Sequence, residues 1–324
     1  MPKSRVAIVG LGLIGGSVGL ALKKSKLDIE IVGHDKDTGV AGRAKKRGAV
    51  DATKWNLIDA CEGAGLIVLA LPLAGIKDTL AALKPYLAPG AIVTDTATTK
   101  VPVIEWARDL PEGVHFVGGD PVIRPGKMTA KSGIDASDAD LFQGATYCLV
   151  PSTNTGSPAI DTLSSFAALL GAKPYFLDAA EHDGLMAGVQ HLPAALATAL
   201  LAATARSQGW REMGKLAGAD YQAATGLAPQ DRATAREQFL AHRTDLIRWI
   251  DIVTTELSQL RGMLEREDAA ALETLIESIT VERDNWLAGK LEEAGPVLDT
   301  QDLQFNPARL FFGGLADRTP KKKN

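Results

Sequence analysis

The chain has 324 residues, of which 46% are hydrophobic and 23% are charged. This balance is typical of a soluble globular protein, and it excludes a disordered, a collagen-like and a disulfide-dense chain. The formal net charge is −4, so there is no electrostatic reason to expect a nucleic acid as a partner.

Short runs rich in Val, Ile and Leu recur through the first half of the chain and alternate with helical patterns. They predict strands at residues 5–9, 29–33, 66–70, 91–94, 115–118, 145–150 and 173–177. The helices predicted between them span residues 14–24, 37–47 and 74–86. Strands that are apolar throughout are typical of a parallel sheet covered on both faces. Residues 1–177 are therefore predicted to form an α/β Rossmann domain with a doubly wound parallel sheet that binds NAD or NADP.

Beyond residue 177 the pattern becomes helical, with long segments at residues 180–207, 230–261 and 269–288. We predict a second, all-helical domain over residues 178–300 for dimerisation and substrate binding, followed by a tail over residues 301–324. Residues 185–205 are apolar nearly all round, and such a helix must be enclosed by other helices. A homodimer interface supplies that enclosure readily.

The same apolar segment raises the question of a membrane span. Gln190, His191 and Pro193 near its middle favour a helix buried against protein, so no membrane contact is expected. The first strand-like run follows Arg5 directly and leaves no room for the charged and apolar regions of a signal peptide. We therefore expect a cytoplasmic protein.

The clearest motif is the run from Val6 to Ser17, Val-Ala-Ile-Val-Gly-Leu-Gly-Leu-Ile-Gly-Gly-Ser. A strand leads into a G-x-G-x-x-G turn and then into a helix, as in dinucleotide-binding folds. In such a turn Gly10 permits the tight bend, Gly12 lets the backbone approach a pyrophosphate, and Gly15 lets helix and strand pack closely. The motif predicts a dinucleotide cofactor.

Two further features bear on which dinucleotide binds. The helix N-terminus, beginning at Leu13 and Ile14, supplies free N–H donors and partial positive charge for the phosphates. Asp35 ends the second strand about twenty residues after Gly15, where a carboxylate accepts hydrogen bonds from ribose hydroxyls and repels a 2′-phosphate. NAD is therefore predicted in preference to NADP, although Lys36 leaves some room for a phosphate. The alternative role for Asp35 is a helix N-cap.

Leu71 and Pro72 follow the third major strand. A doubly wound sheet presents its backbone there to the nicotinamide half of its ligand, so we predict that both residues contact the cofactor. Pro72 has an alternative role as an ordinary helix-start residue.

Together these residues resemble the prephenate and arogenate dehydrogenase family, which oxidises a cyclohexadienol with loss of CO₂ on the tyrosine pathway. The resemblance runs from Val6 to about Trp249. It rests on the glycine-rich run and on Asp95-Thr-Ala-Thr-Thr-Lys100, Gly118-Gly-Asp-Pro121, Ser132-Gly-Ile-Asp-Ala-Ser-Asp-Ala-Asp-Leu-Phe142, His182-Asp183 and His191-Leu-Pro193. It implies a Rossmann domain, a helical dimerisation domain and hydride transfer to a nicotinamide.

The chain departs from the family pattern at the residues that carry the chemistry. The family has Gly-Gly-His-Pro, in which the histidine pulls on the substrate hydroxyl as hydride leaves, and this chain has Asp120 at that histidine's position. Gly226 stands where the family has an arginine that grips a substrate carboxylate. The segment after Asp120 is longer than in the family, and it adds two cations, Arg124 and Lys127.

These departures admit three interpretations. In the first, the chain acts on prephenate or arogenate, with Asp120 as the catalytic base and Arg124 or Lys127 as the relocated carboxylate clamp. A carboxylate in a closed cleft has a raised pKa and can do this work. In the second, the same hydride machinery serves a different small hydroxy, amino or imino substrate. In the third, the chain binds NAD without catalysis and acts as a sensor.

Two further residues complete the predicted catalytic set. Thr98, or its neighbour Thr99, takes the place of a family serine near substrate and nicotinamide, and the alternative role is a turn hydroxyl that caps the helix after Lys100. The resemblance implies that His191 faces the substrate, and its alternative is a core histidine bonded to backbone. His182 and Asp183 are interpreted as a helix-start pair rather than a catalytic dyad.

No metal site is predicted, because no set of His, Cys and carboxylate side chains has metal-ligand spacing. Cys61 and Cys148 lie far apart in the sequence. Both are predicted to be packing residues in a reducing compartment.

Overall fold

The computed structural model describes residues 4–127, 133–152, 155–229 and 231–290. Their internal contacts divide the chain into two units, one that ends at Asp183 and one that begins at Gly184. The predicted tail at residues 301–324 lies outside the described residues, and so does Ser132 of the family motif.

The first unit is built on one sheet of eight strands in the order β3-β2-β1-β4-β5-β6-β7-β8. The strands are β1 (Ser4–Val9), β2 (Ile29–His34), β3 (Ala52–Thr53), β4 (Leu66–Leu69), β5 (Ile92–Asp95), β6 (His115–Val122), β7 (Thr146–Pro151) and β8 (Lys173–Phe176). Neighbouring strands are parallel except for β6 and β7, which are antiparallel. The predicted Rossmann fold class is confirmed, with a sheet that is mostly rather than wholly parallel.

The direction of β7 differs from the wholly parallel sheet that the sequence predicts. Parallel neighbours are usually joined through a crossover helix. The described part of the β6–β7 connection contains only a short 3₁₀ turn, Gly133–Ala136. Its next residues lie against the first helix, where the Asp138 amide donates to Ser17 Oγ at 3.0 Å. Strand β3 was not predicted, because two residues are too short to show a period.

Among the described residues of the first unit, six helices lie wholly within it: α1 (Leu13–Lys24), α2 (Thr38–Lys46), α3 (Leu57–Cys61), α4 (Leu73–Leu83), α5 (Val101–Ala107) and α6 (Ser157–Leu169). Alternate side chains of β1 enter two different cores, Val6 and Ile8 on one face and Ala7 and Val9 on the other. The sheet is therefore buried on both faces, and the ends of its strands are left to bind ligands.

The second unit is helical. Helix α7 (Ala179–Met186) leads into it and continues through a π-helical turn, Ala187–His191, into α8 (Leu192–Ala205). The remaining helices are α9 (Trp210–Leu216), α10 (Ala219–Thr225), α11 (Arg232–Ala241), α12 (Arg243–Glu265) and α13 (Ala269–Leu287). The predicted helix at residues 230–261 is two helices, because the backbone of His242 (φ −97°, ψ 13°) interrupts it. The all-helical prediction for this half is confirmed.

The apolar segment of α7 and α8 is largely exposed. Within the described part of the chain it is the one stretch, Ala179–Ala205, that is long and apolar enough to cross a membrane, and 28% of its most apolar window is buried. Leu196, Leu200 and Leu201 are 39%, 38% and 36% exposed. The described residues of a single chain therefore do not supply the enclosure that the sequence predicts for this segment.

Candidate active site

The glycine-rich loop between β1 and α1 lies where the strand order reverses, since β1 has β2 on one side and β4 on the other. Gly10 has a φ of +89°, and a Cβ there would lie 2.2 Å from the carbonyl oxygen of Ala70. A Cβ on Gly15 would lie 1.9 Å from the carbonyl oxygen of Gly10. Both positions therefore require glycine. A Cβ on Gly12 would meet nothing within 4 Å, so there is open space in front of this residue.

The N-terminus of α1 offers unused hydrogen-bond donors next to that space. The N-cap residue is Gly12, and no side chain of the described residues caps the helix. The N-terminus of α2, by contrast, is capped by the carboxylate of Asp37. The first amides of α1, among them those of Leu13 and Ile14, remain available, and the helix dipole favours an anion. This arrangement fits the pyrophosphate of a dinucleotide.

Asp35 stands directly after β2 and is anchored to the same loop. Its Oδ2 accepts a hydrogen bond from the Leu11 amide at 2.8 Å, and its Oδ1 accepts one from the Asp37 amide at 2.9 Å. The alternative role for Asp35 as a helix N-cap is wrong, because Asp37 caps α2. The oriented carboxylate keeps lone pairs for further donors, as a ribose requires.

The two residues predicted near the nicotinamide lie beyond β4. Leu71 packs over the glycine-rich loop, with its Cδ2 2.9 Å from where a Cβ on Gly10 would stand. Pro72 is exposed, and it is the N-cap residue of α4, as its alternative role foresaw. Contact with the cofactor stays a prediction for both.

A cluster of buried charged side chains, called here the buried charge cluster, lies at the end of β5 and beside the part of β6 that follows its pairing with β5. Its members are each at most 5% exposed: Asp95, Lys100, Asp120, His182 and Asp183. Asp95 is the last residue of β5, and Asp120 lies in β6 opposite Cys148 of β7. The structure thus places Asp120 at the strand ends where ligands of this fold bind.

Lys100 and Asp95 form a fully buried ion pair. The Asp95 carboxylate also accepts hydrogen bonds from the amides of Ala97 at 2.9 Å and Gly119 at 3.2 Å. The Lys100 stem crosses Gly118, where a Cβ would lie 2.9 Å from Lys100 Cδ. Buried charges require pairing of this kind, and the pair here fixes the end of β5 against β6.

His182 lies between two carboxylates. Its Nε2 is 3.2 Å from Asp120 Oδ2, and its Nδ1 is 2.9 Å from Asp183 Oδ1. The Asp183 carboxylate accepts further hydrogen bonds from the amides of Lys100 at 2.6 Å and Val101 at 2.9 Å. Asp183 therefore caps α5 and orients the His182 ring at the same time.

The cap from Asp183 bears on Thr98. Capping of this helix was the alternative role for the Thr98 hydroxyl, and Asp183 fills it instead. The buried Oγ1 of Thr98 has no hydrogen-bond partner within the described ranges. The hydroxyl is thus available to a ligand, and its catalytic role stays a prediction.

The environment changes the acidity of the cluster. Burial raises the pKa of Asp120, against the lowering effects of the hydrogen bond with His182 and the positive charge of Lys100. Burial lowers the pKa of His182, but the hydrogen bonds to Asp120 and Asp183 oppose it, and the net pKa lies above the usual 6.5. Burial also raises the pKa of the neighbouring Cys148 thiol to about 12. Asp120 and His182 therefore retain protons to higher pH than exposed groups do.

Three predicted residues lie outside the buried charge cluster. Arg124 and Lys127 are exposed, and the Arg124 Nη1 lies 2.8 Å from where a Cβ on Gly144 would stand. His191 belongs to the second unit, where its buried ring stacks on that of His242 with 4.1 Å between ring centroids. It ends the π-helical turn, a feature often found at functional sites. The roles predicted for these three residues stay predictions.

The interpretation of His182 and Asp183 as a helix-start pair is wrong. The start of α7 is capped by Asp178, whose carboxylate accepts from the amides of Ala180 and Glu181 at 2.9 Å each. The sequence carried a signal for this, since Asp178 followed three residues later by Glu181 has the form of a capping box. That box leaves His182 and Asp183 inside the helix.

The first unit has the architecture of a dinucleotide-binding domain of the Rossmann type, and comparison with known proteins identifies its family. Residues 18–176 match the family model described as "Prephenate dehydrogenase, nucleotide-binding domain". Residues 178–278 match the one described as "Prephenate dehydrogenase, dimerization domain".

Individual relatives agree with these matches. The prephenate dehydrogenase of Bacillus subtilis (strain 168) is 30% identical over 278 residues, which cover 83% of this chain and 72% of that protein. The structure of Synechocystis arogenate dehydrogenase is 28% identical, has a TM-score of 0.71, and matches over 87% of this chain and 99% of that one. Prephenate dehydrogenase from A. aeolicus, in complex with hydroxyphenyl propionate and NAD⁺, shares the fold at 24% identity and a TM-score of 0.77, over 88% and 99% of the two chains.

This chain belongs to the prephenate dehydrogenase family. The family and the enzyme class predicted from the sequence, a dehydrogenase, are both confirmed.

The buried ion pair yields a prediction about stability. Lys100→Met leaves the Asp95 charge buried without its partner, so we expect the free energy of unfolding to fall by about 3–5 kcal/mol. The matched control is Lys23→Met, which removes the surface partner of Asp51. The Lys23 side chain is 41% exposed and the Asp51 side chain is 36% exposed. We expect the control to cost less than about 1 kcal/mol. Urea denaturation measures both, and equal losses in the two variants would contradict the importance of the buried pair.

Proposed function

We propose that this chain is an NAD-dependent dehydrogenase of prephenate or arogenate, which oxidises a cyclohexadienol with loss of CO₂. The observation that carries the proposal is the buried carboxylate of Asp120, 3% exposed, at the position of the family's catalytic histidine. A group there has to accept a proton from the substrate hydroxyl as hydride leaves, and a carboxylate of raised pKa is suited to that step.

The cofactor site is supported by the glycine-rich loop. The amides that open α1 and the space in front of Gly12 suit a pyrophosphate, and Asp35 suits the ribose of NAD. When bound, the nicotinamide supplies the hydride acceptor. The carboxylate of Asp35 repels the 2′-phosphate of NADP, which is why NAD is the cofactor of this proposal.

The remaining roles at the reaction centre follow from position. The Thr98 hydroxyl, buried and without a partner in the described part of the chain, is assigned to the substrate or the nicotinamide. Arg124 and Lys127 follow β6 within a few residues of Asp120, and they are assigned as the clamp for a substrate carboxylate. His191 is assigned to substrate binding on the family resemblance alone.

One observation favours a second candidate function. Gly226, in the place of the family's arginine, ends helix α10 and carries no charge for a carboxylate. A substrate without that carboxylate, with a hydroxyl or an amine that donates to Asp120, fits this change. The second candidate is therefore a dehydrogenase of a different small hydroxy, amino or imino compound.

We further propose that the chain is a cytoplasmic homodimer held by its helical domain. Residues 178–278 match a dimerization domain. Large apolar side chains of the second unit are more than half exposed in a single chain, among them Leu257, Leu264, Ile276 and Ile279. Apolar surface of this extent is typical of an interface between proteins.

The oligomer is tested by the mass of the full chain in solution. We expect sedimentation at micromolar concentration to give twice the 34.2 kDa of one chain. A concentration-independent mass of one chain would contradict the dimer.

The assignment of Asp120 predicts a loss of turnover with intact cofactor binding. The wild-type chain is assayed with NAD and with prephenate or arogenate by the absorbance of the reduced cofactor. We expect Asp120→Asn to lower kcat about 100-fold or more, because the amide cannot accept the proton, while the Kd for NAD stays unchanged. The control is Asp109→Asn, at a side chain 82% exposed, which we expect to behave as wild type.

Two results would count against the proposal. Full activity in Asp120→Asn would place the base elsewhere. A wild-type chain that binds NAD but turns over neither substrate would favour the second candidate, which a screen of small alcohols, amines and imines tests.

The cofactor preference is tested at Asp35. Asp35→Arg replaces a repelling charge with one that attracts a 2′-phosphate, so we expect the ratio of kcat/KM for NADP over NAD to rise by roughly 10-fold, equivalent to about 1.4 kcal/mol. The control is Asp59→Arg, the same change of charge at an exposed position of α3. Unchanged discrimination in Asp35→Arg would contradict the role given to this carboxylate.

A further inference from the structure

The proton that Asp120 accepts has to be kept and returned. In the proposed reaction the substrate O–H bond breaks and its proton passes to the base. The C–H bond at the same carbon breaks as hydride leaves, and a carbonyl forms. The bond to the ring carboxylate then breaks, CO₂ leaves, and the freed electron pair passes through the ring to the oxygen. That oxygen becomes a phenol by taking up one proton. The proton lost in the oxidation is therefore balanced by the proton gained in the decarboxylation, and the complete reaction releases no proton to solvent.

A lone carboxylate is a weak base for this task, and the structure gives Asp120 a partner. His182 Nε2 faces Asp120 Oδ2 at 3.2 Å, and both side chains are almost fully buried. On the other side of the ring, His182 Nδ1 lies 2.9 Å from Asp183 Oδ1. Asp183 is itself held as an acceptor by the amides of Lys100 and Val101. The neutral ring therefore carries its hydrogen on Nδ1, and its Nε2 lone pair points at Asp120.

Two lone pairs that face each other repel, and one proton between them removes the repulsion. When Asp120 is ionised and His182 is neutral, Asp120 Oδ2 and His182 Nε2 both act as acceptors. Adding one proton gives a charge-assisted hydrogen bond in either arrangement, a carboxylic acid with imidazole or a carboxylate with imidazolium. The geometry makes the pair a stronger base than an isolated carboxylate.

From this geometry we infer that Asp120 and His182 act as one proton-holding pair, with His182 as a positioning residue that acts through Asp120. The pair takes the hydroxyl proton during hydride transfer and returns it to the same oxygen as CO₂ leaves. The inference rests on the proposed function, and it explains how aspartate serves where the family has histidine.

The other ionisable groups around the pair leave this assignment intact. Lys100 and Asp95 act on Asp120 with opposite signs, Cys148 lies opposite it on β7, and Tyr147 interacts with it electrostatically. Burial raises the pKa of Tyr147 and of Cys148, so both stay neutral. Asp183 faces the ring from α7 itself. Burial raises the pKa of Asp120, and the contacts with Asp120 and Asp183 raise the pKa of His182.

The sign of the pH dependence follows. The base exists only when the pair has lost its shared proton, so kcat rises as pH rises through the apparent pKa of the pair, above the usual 6.5 of histidine. His182→Gln replaces the Nε2 lone pair with an amide that donates to Asp120 and stabilises its charge. The carboxylate then ionises at lower pH and is a weaker base.

The test is the pH profile of kcat for wild type, His182→Gln and the control His115→Gln, with NAD and the substrate that the wild type turns over. His115 begins β6, the strand that carries Asp120, and lies outside the buried charge cluster. We expect His182→Gln to shift the acidic limb down by about one pH unit and to lower the plateau about 10-fold or more. We expect His115→Gln to match the wild type. A reduced plateau with an unmoved limb would show a purely structural role and overturn the pair.

A second measurement needs neither turnover nor the His182 variant. Imidazole titration by NMR of the wild-type chain and of Asp120→Asn reports the pair directly. We expect one imidazole to titrate above 6.5 in the wild type and about one unit lower in Asp120→Asn, where the facing carboxylate is gone. If no imidazole responds to Asp120→Asn, the pair is overturned even if the enzyme turns over prephenate. If one responds but neither substrate reacts, the proposed function fails while the pair stands.

Discussion

A charged side chain that is buried away from water needs an opposite charge or hydrogen bonds, and this requirement determines the arrangement of side chains at the end of the sheet. Transfer of an ion into the interior costs several kcal/mol unless partners satisfy it. Lys100 is fully buried and pairs with Asp95, whose carboxylate also accepts a hydrogen bond from the Gly119 amide of β6. Asp183 accepts hydrogen bonds from the amides of Lys100 and Val101 at the start of α5, and it is hydrogen-bonded to His182 Nδ1. Asp120 lies in the same cluster, with His182 as the hydrogen-bond partner of its carboxylate.

The glycine-rich loop and the buried charge cluster are built by different means. The loop depends on backbone, since glycines at positions 10 and 15 allow the close approach of strand and helix and the first amides of α1 have no side-chain cap among the described residues. The cluster uses side chains in a medium of low polarity, where proton affinities change strongly. Substitution in the loop is therefore limited by space, whereas substitution in the cluster is limited by charge balance. Within the cluster, His182 Nε2 lies 3.2 Å from the Asp120 carboxylate.

Much of the fold and of the cofactor site could be predicted from the sequence, since both depend on local patterns. The apolar runs predicted seven strands of the sheet, and the glycine spacing predicted the tight turn at Gly10, where the structure has a positive φ. The two-residue strand β3 and the antiparallel direction of β7 had no periodic signal.

The buried charge cluster was harder to predict, because it joins residues that are distant along the chain. Asp120 and His182 are 62 positions apart, and only the folded sheet brings them together. His182 and Asp183 were interpreted as a helix start, although the capping box at Asp178 placed them inside the helix. The exposed positions of Arg124 and Lys127 follow from a connection whose path no local pattern determines.

A crystal structure of this chain with NAD and hydroxyphenyl propionate would test most directly the central claim, that Asp120 takes the place of the family's histidine at the reacting oxygen. We expect a carboxylate oxygen of Asp120 within about 3 Å of the phenolic oxygen, with His182 still on its other oxygen. A phenolic oxygen bound by a different side chain, with Asp120 beyond hydrogen-bond reach, would contradict the account.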